Sequence, residues 1–285
     1  MIVFLNDRWL DAADASIPID DRGFLLGDGV FETGRLFRGG YFRLEHHLDR
    51  LAEGAAALRI PLPSRQRLIE IARELARRNR LTDGSLRITL TRGRPGSPPT
   101  LLATLAPVSD SWIQRAERGW NLITATVRHP PPAAGTHLKT IGRTHGLLAR
   151  LEAEAAGADD ALLLSVDGDV VEGPTWNVFW RIGQTLYTPD PATGILEGIT
   201  RSLILELAAA LGYTTIEGRF PRTELDRADE IFATMTSVGP VAIRSLDGRT
   251  LPPPTPVLDA LRPAYWERVA AEVVPIPPGT DAASP

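Results

Sequence analysis

Apolar and polar residues alternate with a period of two through Ile2–Leu5 and Arg8–Leu10, on either side of Asn6-Asp7. That pattern predicts an opening β-hairpin closed by a two-residue turn. Arg35–Phe37 and Tyr41–Arg43 flank Gly39-Gly40 in the same way and predict a second hairpin. Between the two, Gly27 and Gly29 bracket Asp28, where the backbone can turn tightly or be approached closely. The period then becomes helical. Leu48, Leu51 and Ala55 share one stripe over about 44–58, and Leu68, Ile71, Ala72 and Leu75 share one over about 64–78. Leu86–Thr91 alternates as a strand again, with Leu101–Leu105 as its partner. Residues 1–108 therefore predict a small α+β domain.

Periodicity breaks over Pro107–Arg118, so residues 109–118 are expected to link two domains. A strand is predicted at Asn121–Val127, followed by the proline-rich loop His129–Gly135, stiff and expected to be neither helical nor paired. Gly146–Ala156 predicts a helix. Ala161–Val166, Val170–Glu172, Asn177–Trp180 and Thr185–Thr188 predict short strands, with a turn at Asp167-Gly168. An amphipathic helix over Thr200–Leu211 precedes strands at Tyr213–Glu217, Glu230–Thr234 and Val241–Arg244, and a helix near Val257–Ala271 closes the pattern. Residues 119–274 predict a larger, β-rich domain. Residues 275–285, rich in Pro, Gly, Ala and Ser, predict a disordered tail. A cleft between two such domains is a common place for a ligand.

Composition removes several classes of function. The 285 residues are 43% hydrophobic and 23% charged, with net charge -4 and no basic block, which argues against nucleic acid or an anionic membrane surface as partner. No apolar run reaches the ~18 residues of a membrane span, and Met1–Arg8 lacks the features of a signal peptide. With no Cys, the chain has no disulfide, thiolate metal site or cysteine nucleophile, and no metal is expected. A cytoplasmic location is the expectation.

Candidate chemistry centres on Lys139. Lys and Arg together number 31, and Lys139 is the one lysine. Arg can replace Lys on a solvated surface but cannot form a Schiff base, whereas a desolvated Lys amine attacks carbonyls, that of pyridoxal phosphate included. An enzyme of that kind also needs a carboxylate for the pyridine nitrogen, an anion site for the phosphate and donors for a substrate carboxylate. Glu172, before Gly173-Pro174-Thr175-Trp176-Asn177, is a candidate for the first, although alone it describes a solvated strand end. Gly198-Ile199-Thr200-Arg201 opens a helix, with Thr200 suited to the cap, and its free N–H groups form an anion site. Arg50 offers a planar fork to a phosphate. Thr234-Met235-Thr236-Ser237 follows a strand and offers hydroxyl and backbone donors.

In that order and spacing the chain resembles the class IV aminotransferases, the fold type IV pyridoxal-phosphate family of branched-chain and D-amino acid aminotransferases, (R)-amine transaminases and 4-amino-4-deoxychorismate lyase. The resemblance runs from about Phe4 to Ala271. It rests on Asp21-Arg22-Gly23 through Phe31-Glu32, His47–Leu51, Leu138-Lys139-Thr140, Val171-Glu172-Gly173 with Asn177-Val178-Phe179, Leu196–Arg201 and Ala228–Phe232. It implies an α+β fold, with a small N-terminal domain and a larger pseudo-barrel domain, usually as homodimers. It implies pyridoxal 5′-phosphate as cofactor and Lys139 as Schiff-base lysine and proton shuttle. Glu172 would bind the pyridine nitrogen, and Arg50, Ile199, Thr200 and Thr236 the phosphate. Leu196 would pack on the ring, and Thr236 and Ser237 would meet the substrate carboxylate.

The subfamily signals are mixed. Leu26 and Thr33 replace the Tyr and Gly usual in branched-chain aminotransferases, and Ala242-Ile243 replaces their Pro-Val. Arg87 and Arg35, however, match pocket positions of that group, with Phe31 beside them. D-amino acid aminotransferases carry an Arg-x-His pair after Thr-Arg-Gly; here Thr91-Arg92-Gly93 runs into Arg94-Pro95-Gly96 without a His. The lyase commonly has Asn where this chain has Gly142 or Arg143 after the Lys, which weakens that reading. The resemblance thus implies a transaminase acting on a hydrophobic or branched-chain L-amino acid with glutamate and 2-oxoglutarate as co-substrates. The lyase, or a D-amino acid or (R)-amine transaminase with a non-standard pocket, is the alternative.

Overall fold

The computed structural model describes residues 1–251 and 256–276, which fall into two compact units. The first comprises Met1–Val108, Lys139–Gly142 and residues 269–276. It contains β1 (Ile2–Leu5), β2 (Arg8–Asp11), α1 (Arg22–Leu26), β3 (Gly29–Phe37), β4 (Gly40–Phe42), α2 (Leu44–Ala57), α3 (Arg65–Asn79), β5 (Gly84–Thr91) and β6 (Thr100–Ala106). The strands form one antiparallel sheet in the order β2-β1-β6-β5-β3-β4. Val30 and Leu36 of β3 and Leu86, Ile88 and Leu90 of β5 join the helical stripes of α2 and α3 in one core. Alternation sends Phe31 and Thr33, with their partners Thr89 and Arg87, to the opposite face.

Asn6 and Asp7 both take left-handed φ angles (46° and 64°), as a tight hairpin turn requires. The second hairpin turns one residue earlier than expected, at Arg38-Gly39, because Arg38 itself accepts a left-handed φ (49°) and Gly40 opens β4.

The second unit comprises Ser109–Leu138 and Arg143–Arg268. It begins with α4 (Asp110–Arg118) and continues through β7 (Trp120–Arg128), α5 (Thr144–Ala155), β8 (Asp160–Leu164), β9 (Asn177–Ile182), β10 (Thr185–Pro189), α6 (Ile199–Ala210), β11 (Thr214–Gly218), β12 (Glu230–Met235), β13 (Gly239–Leu246) and β14 (Arg249–Thr250). Most of α7 (Pro256–Glu272) follows. A mixed sheet in the order β11-β10-β9-β12-β13-β7-β8 curls as a half-barrel, with β14 paired to β13. Trp120, Trp176, Trp180, Ile231 and Val241 lie in its main core, and α5 seats Ala149 and Ala153 against β7 and β8 through Ala125, Ala161 and Leu163.

Three expectations change here. The stretch expected as an irregular linker is the helix α4. It is only nine residues long, with Trp112, Ile113 and Ala116 its apolar positions and Ala116 its one buried residue, too short a run to stand out from a linker. The proline-rich loop contains a single 3-10 turn at Pro132–Ala134, which Pro tolerates at its first position. Val170–Glu172 makes isolated bridges, Leu164 to Val170 and Glu172 to Asn177, instead of a continuous strand. Of the tail expected to be disordered, residues 277–285 lie outside the described residues. No helix among the described residues is long and apolar enough to cross a membrane.

Candidate active site

Lys139 is held by β3 of the first unit. The Phe31 N–H donates to the Lys139 carbonyl and the Ile141 N–H donates to the Gly29 carbonyl, each at 3.0 Å, so residues 139–141 add to the start of β3 as a short antiparallel partner. Gly29 has to be glycine: a Cβ there would lie 2.5 Å from the Leu90 carbonyl oxygen and 2.6 Å from Ile141 Cδ1. The Lys139 Nζ lies 4.9 Å from the centre of the Phe31 ring, and the Arg87 guanidinium carbon lies 4.0 Å from that same centre.

On the core face of β3, Glu32 is buried beneath α2. His47 and Arg50, three residues apart, project from one side of that helix. Arg50 grips Glu32 with Nε on Oε1 (2.6 Å) and Nη2 on Oε2 (2.9 Å), and His47 Nδ1 lies 2.8 Å from Oε2. Burial alone would raise the Glu32 pKa, but the His47 hydrogen bond and the Arg50 charge overcome it and hold the carboxyl at about 2. Burial lowers the His47 pKa against the pull of Glu32, so its imidazole is neutral and Nδ1–H is the donor. Arg35, on the opposite face, is engaged elsewhere: Nη2 pairs with Asp83 at 2.9 Å and Nη1 donates to the Gly84 carbonyl.

This arrangement makes stability fall in acid. Glu32 has a folded pKa depressed from 4.5 to about 2, so its contribution is present above 4.5 and is lost as pH falls through about 2. Linkage puts that contribution at about 3 kcal/mol. His47, held neutral, adds a loss that starts below its ordinary value of 6.5. Denaturant titrations from pH 7 to pH 2 are expected to show this slope, and Glu32→Gln is expected to remove the part between 4.5 and 2. An unchanged slope in the variant would refute the account.

In the second unit Glu172 is likewise buried, at the mouth of the turn from Gly173 to Trp176. The Trp176 ring lies where a Cβ on Gly173 would stand, 1.9 Å from it, so only glycine fits. Glu172 Oε2 accepts from Asn177 Nδ2 (3.1 Å) and the Leu196 N–H (3.0 Å), while Oε1 accepts from Arg143 Nη2 (2.9 Å). Asn177 Nδ2 also donates to the Leu196 carbonyl at 2.8 Å. The Asn177 Oδ1 would lie 2.1 Å from a Cβ on Gly198, the residue before α6. Asn177 therefore ties the Glu172 carboxylate to the start of that helix.

Thr200 is the second residue of α6; Gly198 is the N-cap, and no side chain caps the helix. The Arg201 side chain turns to the Pro189 carbonyl and Glu217. The first N–H groups of α6 are thus left to a ligand, as in helix-terminal phosphate sites. Thr234 pairs with Asn177 across β12 and β9, and its buried Oγ1 has no partner among the described residues. Thr236 and Ser237 lie in the turn between β12 and β13, and Leu196 keeps its side chain half-buried. A buried acceptor for a ring N–H, an uncapped helix start for an anion and an orphaned hydroxyl fit pyridoxal phosphate.

Glu32, His47, Arg143 and Asn177 were not among the site residues expected from the sequence. The i, i+3 spacing of His47 and Arg50 is a local signal. The separation of 29 positions from Arg143 to Glu172 leaves none.

A family model described as amino-transferase class IV matches residues 29–246. A putative branched-chain-amino-acid aminotransferase of Methanocaldococcus jannaschii is 34% identical over 261 residues, 88% of this chain and 90% of that protein. A D-alanine aminotransferase of Bacillus licheniformis is 32% identical over 256 residues, again 88% and 90% of the two chains. Among solved structures, the T.th. branched-chain amino acid aminotransferase complexed with N-(5′-phosphopyridoxyl)-L-glutamate matches with a TM-score of 0.89 at 26% identity, over 97% of this chain and 98% of that one.

Proposed function

As the chain belongs to the class IV aminotransferase family and is a pyridoxal 5′-phosphate-dependent transaminase of fold type IV, we propose that it takes a hydrophobic, branched-chain L-amino acid as donor, with glutamate and 2-oxoglutarate as co-substrates. The observation that carries this reading is the Phe31 ring with Lys139 and Arg87 against it. An apolar ring beside the reacting amine suits an aliphatic side chain. Arg87, which has no ion pair among the described residues, suits the distal carboxylate of glutamate. The branched-chain relative and the phosphopyridoxyl-L-glutamate complex support the same choice.

Selectivity for the L-form is supported by Arg92 and Arg94. Arg92 is fastened to Asp28 and to the Leu58 and Arg59 carbonyls, and Arg94 is paired with Asp20. Neither stands in for the Arg-x-His pair of the D-amino acid enzymes.

When bound, the cofactor supplies the electron sink that makes the substrate Cα–H acidic. Lys139 Nζ takes that proton and returns it, and Glu172 holds a proton at the ring nitrogen. Arg50, held in place by Glu32, the N–H groups of Ile199 and Thr200, and Thr236 bind the phosphate. Leu196 packs on the ring, and Thr236 and Ser237 orient the substrate carboxylate. A homodimer and a cytoplasmic location belong to the same proposal. The exposed apolar residues Phe24, Leu25 and Leu26 on α1, and Leu147, Leu148 and Leu151 on α5, support the dimer.

The test is a half-reaction screen with matched L- and D-amino acids, both enantiomers of 1-phenylethylamine, and 4-amino-4-deoxychorismate. L-Leu, L-Ile, L-Val and L-Glu are expected to react fastest, and Arg87→Ala to weaken glutamate while sparing leucine. Preference for a D-amino acid or the (R)-amine, or pyruvate release without an oxo acid, would overturn the assignment.

A further inference from the structure

We propose that Arg143 is a positioning residue that sets how tightly Glu172 holds the proton on the cofactor's ring nitrogen. The inference rests on the assignment of Glu172 to that nitrogen. A carboxylate oxygen has two lone pairs to offer. On Oε2 of Glu172 both are taken, by Asn177 Nδ2 and the Leu196 N–H. On Oε1 one is taken, by Arg143 Nη2 at 2.9 Å. A further N–H donor must therefore share Oε1 with the guanidinium.

The sharing matters because the pair is shielded. The side chain of Glu172 is 3% exposed and that of Arg143 is 15% exposed, so water screens their charges poorly. The other groups facing this carboxylate are two imidazoles. His129 Nε2 is buried 3.7 Å from Oε1, with no hydrogen-bond partner among the described residues. His145 packs edge-on against His129 with ring centres 5.0 Å apart. Burial first, and the neighbouring His129 and Arg143 second, push its pKa down to about 4, so it is neutral near pH 7. Arg143, whose guanidinium stays protonated, is the permanent cation at Glu172.

The fold delivers Arg143 there. It is the residue before α5, and Gly146 in the first turn of that helix has space for a Cβ only 3.4 Å from Pro174 in the Glu172–Asn177 turn. With its charge divided between a guanidinium and a ring N–H, Glu172 holds the ring proton less tightly than it would unaided.

The experiment uses holoenzyme loaded with cofactor labelled with ¹⁵N in the ring, compared across Arg143→Gln, Arg143→Asn, Arg143→Lys and Glu172→Gln. In both neutral Arg143 variants the ring-nitrogen resonance is expected to move toward the protonated-pyridine position. Arg143→Lys, which keeps the charge, is expected to stay near wild type. Glu172→Gln is expected to move the resonance the opposite way. Should Glu172→Gln move it and the neutral Arg143 variants leave it in place, Arg143 loses its role while Glu172 keeps its own. If Glu172→Gln leaves it unmoved, both assignments fall. If Arg143→Lys shifts it as far as Arg143→Gln, charge is not the cause and the inference is overturned.

Discussion

Lys139→Ala is expected to abolish turnover and, with it, the visible absorption band of the bound cofactor. The expected loss is roughly 10⁴-fold or more, the upper range for a positioned acid–base group. No other lysine exists in the chain to take over, and the arginines cannot, since a guanidinium neither attacks an aldehyde nor gives up its proton. The substitution leaves the local backbone intact, because the contacts that seat residues 139–141 on β3 are main-chain hydrogen bonds. Unfolding temperature should therefore change little. Lys139→Arg is expected to share the loss of activity while keeping the cation beside Phe31, which separates the chemistry of the amine from its charge. Wild-type turnover by either variant would sink the mechanism.

Glu172→Gln should still fold and bind cofactor, but should react on the order of 10²-fold more slowly, the effect of removing one preorganised electrostatic partner. The amide keeps the shape and one oxygen, so Asn177, the Leu196 N–H and Arg143 retain part of their bonding. It lacks the negative charge that keeps a proton on the ring nitrogen, and a neutral ring draws electrons from the substrate carbanion less well. Single-turnover rates with the best donor, measured alongside cofactor affinity, give the comparison. A variant that bound cofactor normally and reacted at the wild-type rate would remove Glu172 from the mechanism.

What was legible in the sequence was local. The stripes of α2 and α3 and the alternation of β5 follow from apolar spacing, since each element buries one face. Gly198-Ile199-Thr200-Arg201 announced a helix start, but which residue capped it depended on Asn177, whose Oδ1 fills the space beside Gly198. Lys139 stood out through composition, while its seat on β3 did not, because the paired residues are about a hundred positions apart and no periodicity spans that gap. The acidic partner of Arg50 escaped for a related reason. Glu32 has the period-two position of a core residue, and only the helix lying over it explains why a carboxylate is tolerated there.

The backbone pairing of residues 139–141 also bears on how the protein can be divided. The two units differ in core and sheet, which invites expressing them as separate halves cut near residue 108. Such a cut would leave the first half without the segment that closes the beginning of β3, and the second half with Lys139 detached from the sheet that seats it. Split-protein reassembly, domain exchange between relatives and circular permutation therefore all meet the same obstacle. The segment 139–142 belongs to one folding unit by contact and is embedded in the other by sequence, so the gene is indivisible where the fold is not.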